Sequence, residues 1–207
     1  MQHDLSIVKK MENKKYIKKR VWDLPTRFFH WALAGTVFTG WYLGEYRDFS
    51  TIYLHFYFGY AAGLLIVLRV FCWVFAPANS GREELLPGFR KTIAYAKTIF
   101  NREPSGVVGH NPLGALSVLA MLLVILAQVI TGLFSEDDTM FSRGPFSSWV
   151  DSTSVVTMTA FHYWISRILI TVIGLHVLAV LFYRFWKHED LIKPMITGVK
   201  FVKNQKH

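Results

Sequence analysis

Charge is scarce in this chain and cysteine nearly absent. Only 18% of the 207 residues are Asp, Glu, Lys or Arg, against roughly a quarter in a soluble domain. The shortfall is concentrated in a few long apolar runs, which is the pattern of a membrane protein. The lone cysteine, Cys72, excludes an internal disulfide and any Cys-x-x-Cys zinc or redox site. The C-x-x-C-H signal of covalent haem is also missing, so a haem here has to be held by side chains alone. Residues 1–20 have no apolar stretch and no small-residue cleavage site, so they read as a basic cytoplasmic tail rather than a signal peptide. There is no transporter-like internal repeat and no low-complexity segment.

The apolar runs predict an all-α integral membrane protein, a single four-helix bundle with spans at about 28–44, 51–76, 112–134 and 160–186. Pro112 opens the third span, where a missing N–H costs nothing. Lys and Arg number seven in 1–20, five in 77–111 and six from 184 onward, against one each in 45–50 and 135–159. This asymmetry predicts both termini on the cytoplasmic side of a bacterial inner membrane, with 187–207 as a second tail. Because the basic residues flank spans, the net charge of +9 points to anionic lipid and not to nucleic acid. The outer connections carry Glu45, Asp48, Glu136, Asp137, Asp138 and Asp151, and the acidic loop 135–159 is suited to docking a basic electron carrier. Segment 85–100 has the polar–apolar alternation of a short helix lying on the membrane surface.

Ionisable groups in lipid are costly and mark functional sites. His30, His55, His162 and His176 fall within the spans, and His110 sits at the inner edge of the third. His162 and His176 are fourteen residues apart, which is about 21 Å of rise and only about 40° of azimuth. One face of the fourth span therefore offers two imidazoles at two depths. The first span supplies His30 at the inner depth and the second supplies His55 at the outer depth. The expected pairs are His30 with His176 and His55 with His162. Imidazoles facing each other in twos suit the axial positions of two b haems. Zinc asks for three or four converging ligands, and a proton relay favours carboxylates within the spans. Arg69, fourteen residues after His55, reaches the inner depth as a partner for a haem propionate. Gly44, fourteen after His30, would let a porphyrin edge approach the backbone, with Gly59 and Gly63 on a similar side of the second span. Arg167 points away from both histidines of its span and has no role in this scheme.

The stretches RVWDLPTRFFHW around His30, GHNPLGAL at the third span and GLHVLAVLFYRFWKHEDLIKPMITG at the end resemble the bacterial cytochrome b561 family. That family is similar to the di-haem cytochrome b subunits of nickel–iron hydrogenases and formate dehydrogenases. The likeness covers about residues 20–200. It implies electron exchange between a redox protein and the membrane quinone pool, with the four histidines as iron ligands. It also implies Arg69 as propionate partner, and His110 with Asn111 as the lining of a quinone site. The ending DLIKPMITG resembles the form found beside soluble c-type cytochromes, which implies such a cytochrome as partner. Two other readings compete. One is a self-contained superoxide- or small-reductant:quinone oxidoreductase of the same fold. The other is a haem-free scaffold whose histidines only pack helices.

Overall fold

The computed structural model describes residues 16–75, 88–105, 107 and 109–203. In order, these form strand β1 (Tyr16–Arg20) and helices α1 (Leu24–Glu45), α2 (Ile52–Phe75), α3 (Phe89–Lys97) and α4 (Pro112–Phe134). Two short strands follow, β2 (Glu136–Asp137) and β3 (Ser142–Arg143), and then α5 (Ser152–Phe185), α6 (Ile192–Thr197) and strand β4 (Val199–Lys203). By length and composition α2, α4 and α5 can each cross a membrane. α1 is comparably long at 22 residues but less apolar.

Caps set where the helices begin. Asp23 accepts from the Thr26 N–H at 3.0 Å, Asn111 from Gly114 at 2.8 Å and Asp151 from Ser154 at 3.0 Å, each satisfying a donor that the first turn leaves free. The third predicted span, 112–134, coincides with α4. The fourth begins at 152 instead of 160. Its first turns are rich in Ser and Thr, which lowers hydropathy without ending the helix. Thr157 and Thr159 donate instead to the carbonyls four residues back, at 2.8 and 3.0 Å. At 34 residues α5 is about 51 Å long, well beyond the hydrocarbon thickness of about 30 Å. It is therefore more than long enough to cross such a layer.

Helices α1 and α2 pair, α4 and α5 pair, and the two hairpins meet along α2 and α4. Leu33 and Val37, Ala62 and Ile66, Ile125, and Leu169 form one apolar cluster contributed by all four long helices. Each of these lies midway along its helix.

Part of each expected tail forms a strand. β1 and β4 pair antiparallel, with Lys18 opposite Phe201 and Arg20 opposite Val199, so a small ribbon is added to the expected all-α bundle. Residues 1–15, 76, 85–87 and 204–207 of the predicted tails, second span and surface helix lie outside the described residues. α5 stops where His188 adopts φ 52° and the Glu189 N–H reaches back to the Tyr183 carbonyl at 3.0 Å, a left-handed helix ending. That turn sends Glu189 inward to 5% exposure. There it meets Lys200 and accepts from the Ser105 N–H and hydroxyl at 2.7 and 2.8 Å. Lys187, 3% exposed, donates to the carbonyls of Ile99 and Asn101. Tyr95 of α3 bonds the Tyr183 hydroxyl at 2.7 Å, fastening the amphipathic helix to α5.

Candidate functional site: two histidine layers

At the end of the bundle expected to face outward, called the outer layer below, His55 of α2 faces His162 of α5. Their ring centroids are 6.0 Å apart and their planes nearly perpendicular, at 88°. Nδ1 of His55 lies 2.8 Å from the Gly40 carbonyl, and Nδ1 of His162 lies 3.0 Å from the Gln128 carbonyl. A carbonyl only accepts, so each Nδ1 carries the proton and each Nε2 keeps its lone pair. That is the form of imidazole a metal requires, held by the kind of outer contact that orients metal ligands.

The sequence makes room for this contact in the same way twice. Gly44 follows Gly40 by four residues in α1, and Gly132 follows Gln128 by four in α4, one turn further along the same face. A Cβ at Gly44 would sit 2.8 Å from His55 Cε1, and a Cβ at Gly132 would sit 2.8 Å from His162 Cε1. Each imidazole thus reaches a helix carbonyl by passing over a glycine, and uses the second lone pair of an oxygen already bonded within its helix. The space at Gly44, expected to admit a porphyrin edge, is taken by the His55 ring. Around Gly59 no atom lies within 4 Å of where a Cβ would be, whereas Gly63 abuts Val129, a helix-packing contact.

Three residues that sequence reasoning passed over complete this layer. The Gln128 amide nitrogen lies 3.1 Å from His162 Nε2, while its oxygen is buried with no partner among the described residues. Thr131 holds its hydroxyl 3.3 Å from His162 Nδ1 and donates to the Ala127 carbonyl at 2.8 Å. Gly40 supplies the oxygen that holds His55. The available signal was a glutamine in the most apolar run of the chain, with a glycine four residues later.

The inner layer is built differently. His30 and His176 lie within electrostatic reach of each other, and both reach His110. Nδ1 of His30 is buried without a hydrogen-bond partner among the described residues, and its ring stands edge-on to Trp31 at 4.9 Å. Arg69 places its guanidinium 5.3 Å from the Phe29 ring centre, within electrostatic reach of Asp23 and His110. Burial first, and then Arg69, push His110 down to about 4, so its ring is neutral near pH 7. It packs on Trp22 at 4.5 Å. Asn111 is committed at both ends of its amide, capping α4 through its oxygen and donating to the Tyr183 hydroxyl at 3.0 Å.

Arg167 now has a partner. It pairs with Glu45 at the end of α1 at 2.6 Å and lies over the Tyr163 ring, linking α5 to α1. Two acids of the outer surface are also paired, Glu136 with Arg143 at 2.6 Å and Asp137 with Arg47 at 3.0 Å.

The donor set fits a b haem. Metal–imidazole bonds are about 2 Å, so two nitrogens on one iron stand about 4 Å apart, compatible with centroids at 6.0 Å. The buried unpartnered atoms of His30 and Gln128 belong to the two layers where such a group would lie. Among the described residues no three His, Cys, Asp or Glu side chains converge on one point.

No solved structure matches the chain. A probable Ni/Fe-hydrogenase B-type cytochrome subunit of Rhizobium leguminosarum bv. viciae is 25% identical over 218 aligned positions, covering 89% of this chain and 90% of that relative. A probable Ni/Fe-hydrogenase 1 B-type cytochrome subunit of Escherichia coli K12 is 24% identical over 171 positions, covering 70% and 68%. The family model of the prokaryotic cytochrome b561 matches residues 21–198. With apolar helices, paired imidazoles and that match in agreement, the chain belongs to the prokaryotic cytochrome b561 family of membrane electron-transfer proteins.

Proposed function

We propose that α1, α2, α4 and α5 cross the inner membrane with both ends of the chain in the cytoplasm, and that the bundle holds two b haems. His55 and His162 would bind the outer iron and His30 and His176 the inner one. The bound haems supply one-electron iron couples. The task of the protein is to fix the imidazoles, shield the irons from water and set their surroundings. Leu33, Val37, Ala62, Ile66, Ile125 and Leu169 separate the two layers with apolar side chains. Arg69 offers its guanidinium to a propionate, and the open surroundings of Gly59 leave space for a flat ring.

The chain then carries electrons between a redox protein and membrane quinone. His110, neutral and packed at a tilt against Trp22, lines the quinone site with Asn111 as its structural support. The names of the relatives favour a hydrogenase as the partner, while the DLIKPMITG ending favours a c-type cytochrome.

The carrying observation is the outer pair, two facing imidazoles with their Nδ1 atoms tied to carbonyls and their Nε2 atoms left as acceptors. The test is a reduced-minus-oxidised spectrum of purified protein, with haem counted per chain. Two low-spin b haems are expected, and alanine at each histidine should remove the haem of its own layer. A well-folded colourless protein from haem-replete cells would overturn the proposal.

A further inference from the structure

Where the β1–β4 ribbon meets the start of α1, a cleft of about 350 Å³ is lined by Lys18, Arg20, Trp22, Arg27 and residues 197–199. None of its three cations has a carboxylate within ion-pair distance among the described residues. On the outer side, by contrast, Arg47, Arg143 and Arg167 are all paired. The nearest acid, Asp23, has one oxygen committed to capping Thr26, though Arg20 and Arg69 still feel its charge.

The cleft is held in shape by its backbone. Gly198 sits at φ +80°, and a Cβ there would lie 2.7 Å from the Trp22 carbonyl and 3.3 Å from the Arg27 guanidinium. Its own carbonyl accepts from the N–H groups of Val21 and Trp22. Arg27 is fixed by the carbonyls of Ile196 and Asp23, so its charge is oriented in advance while other guanidinium donors stay free. The pairing register puts Lys18 and Arg20 on the same face of the ribbon, beside Val199 and the exposed Phe201. Trp31, about two turns into α1, bonds the Met195 carbonyl at 3.3 Å, so indole rings at the level of a membrane interface flank the cleft.

We propose that this cleft binds the phosphodiester of an anionic phospholipid from the cytoplasmic leaflet. The cations would hold the phosphate, and the apolar and aromatic residues around them would meet the glycerol and acyl chains. The site rests on the membrane topology proposed above, but its test does not depend on haem.

Purified full-length protein in neutral detergent would be titrated with phosphatidylglycerol, with phosphatidylcholine and with inorganic phosphate. Native mass spectrometry would count the bound lipid. One phosphatidylglycerol should bind saturably, and phosphatidylcholine should not. K18Q/R20Q should weaken binding roughly 30-fold, from about fivefold per cation. K91Q/K97Q, which removes equal charge from exposed positions of α3, should leave binding nearly unchanged. K18Q alone, expected to weaken binding about fivefold, serves if the double variant does not fold. Equal loss in both double variants, or no saturable binding, would overturn the proposal. Displacement of the lipid by inorganic phosphate at matched concentration would reassign the cleft to free phosphate and sink the lipid reading. An unchanged far-UV circular dichroism spectrum and thermal unfolding midpoint in K18Q/R20Q would show that a loss of lipid is not a loss of the bundle.

Discussion

The outer and inner histidine layers solve the same problem with different materials. At the outer end each imidazole is tied through Nδ1 to a carbonyl of the neighbouring helix, over a glycine that clears its path. At the inner end Nδ1 of His30 has no such partner among the described residues, and the surroundings are charged and aromatic: Arg69, His110, Trp22 and Trp31. Orientation at the outer layer therefore comes from the backbone, before anything binds. Orientation at the inner layer is left to the group that binds and to the side chains around it. A ligand fixed in advance loses less freedom on binding, so the outer layer should retain its haem more firmly and tolerate fewer changes nearby.

The largest test of this contrast is removal of the ligands. His55→Ala or His162→Ala should abolish the outer haem and spare the inner one, and His30→Ala or His176→Ala the reverse, as read by haem content and redox titration. Next comes the glycine pair. Gly44→Ala and Gly132→Ala would drive a methyl into an imidazole at 2.8 Å, and outer haem affinity should fall by about 10-fold or more. Gly35→Ala, also in α1 and with nothing beyond its own helix backbone within 4 Å, should disturb neither imidazole. If Gly44→Ala leaves the outer spectrum and potential intact, the backbone tether does not orient the ligand.

Beyond the end of α5, Glu189→Gln would leave Lys200 buried without a counter-charge, costing about 3 kcal/mol. Thermal unfolding and proteolysis after residue 190 should report that loss. Burial raises the Glu189 carboxyl, but hydrogen bonds from Lys200 and Ser105 outweigh it and hold the group below its usual 4.5. A depressed acid stabilises the fold above its unfolded pKa and loses that contribution as pH falls through its folded value. The clasp should therefore be intact at neutral pH and open only under acid, below about 4.5. The smallest effect is expected from Arg143→Gln. Its pair with Glu136 lies in the loop between α4 and α5 with the arginine largely exposed, and such pairs contribute at most about 1 kcal/mol; a stability curve close to the wild type is expected.

Much of this arrangement was legible in the sequence because helical geometry converts residue spacing into depth. Fourteen residues separate His162 from His176, and Leu169, halfway between them, lies in the apolar cluster dividing the two layers. α4 was readable to the residue because Asn111 and Pro112 mark its start. Other features depend on contacts between distant segments, which periodicity does not encode. Gly44 stood out, but its neighbour proved to be a histidine from the next helix. Gln128 was hidden in the cleanest apolar run, and only the His162 ring gives it a role. Lys187, Glu189 and Lys200 look like an ordinary charged tail until the His188 turn brings them inward. Arg167 found its partner 122 positions away.

The β1–β4 ribbon bears on how the molecule is assembled. β1 precedes all four long helices in the sequence and β4 follows them, so β1 has no strand to pair with until the last of those helices is in place. With four helices spanning the bilayer as proposed, a chain in which one of them fails to insert leaves β1 and β4 on opposite sides, and the ribbon cannot close. Closure of the ribbon therefore distinguishes a fully inserted molecule from one with a helix left out.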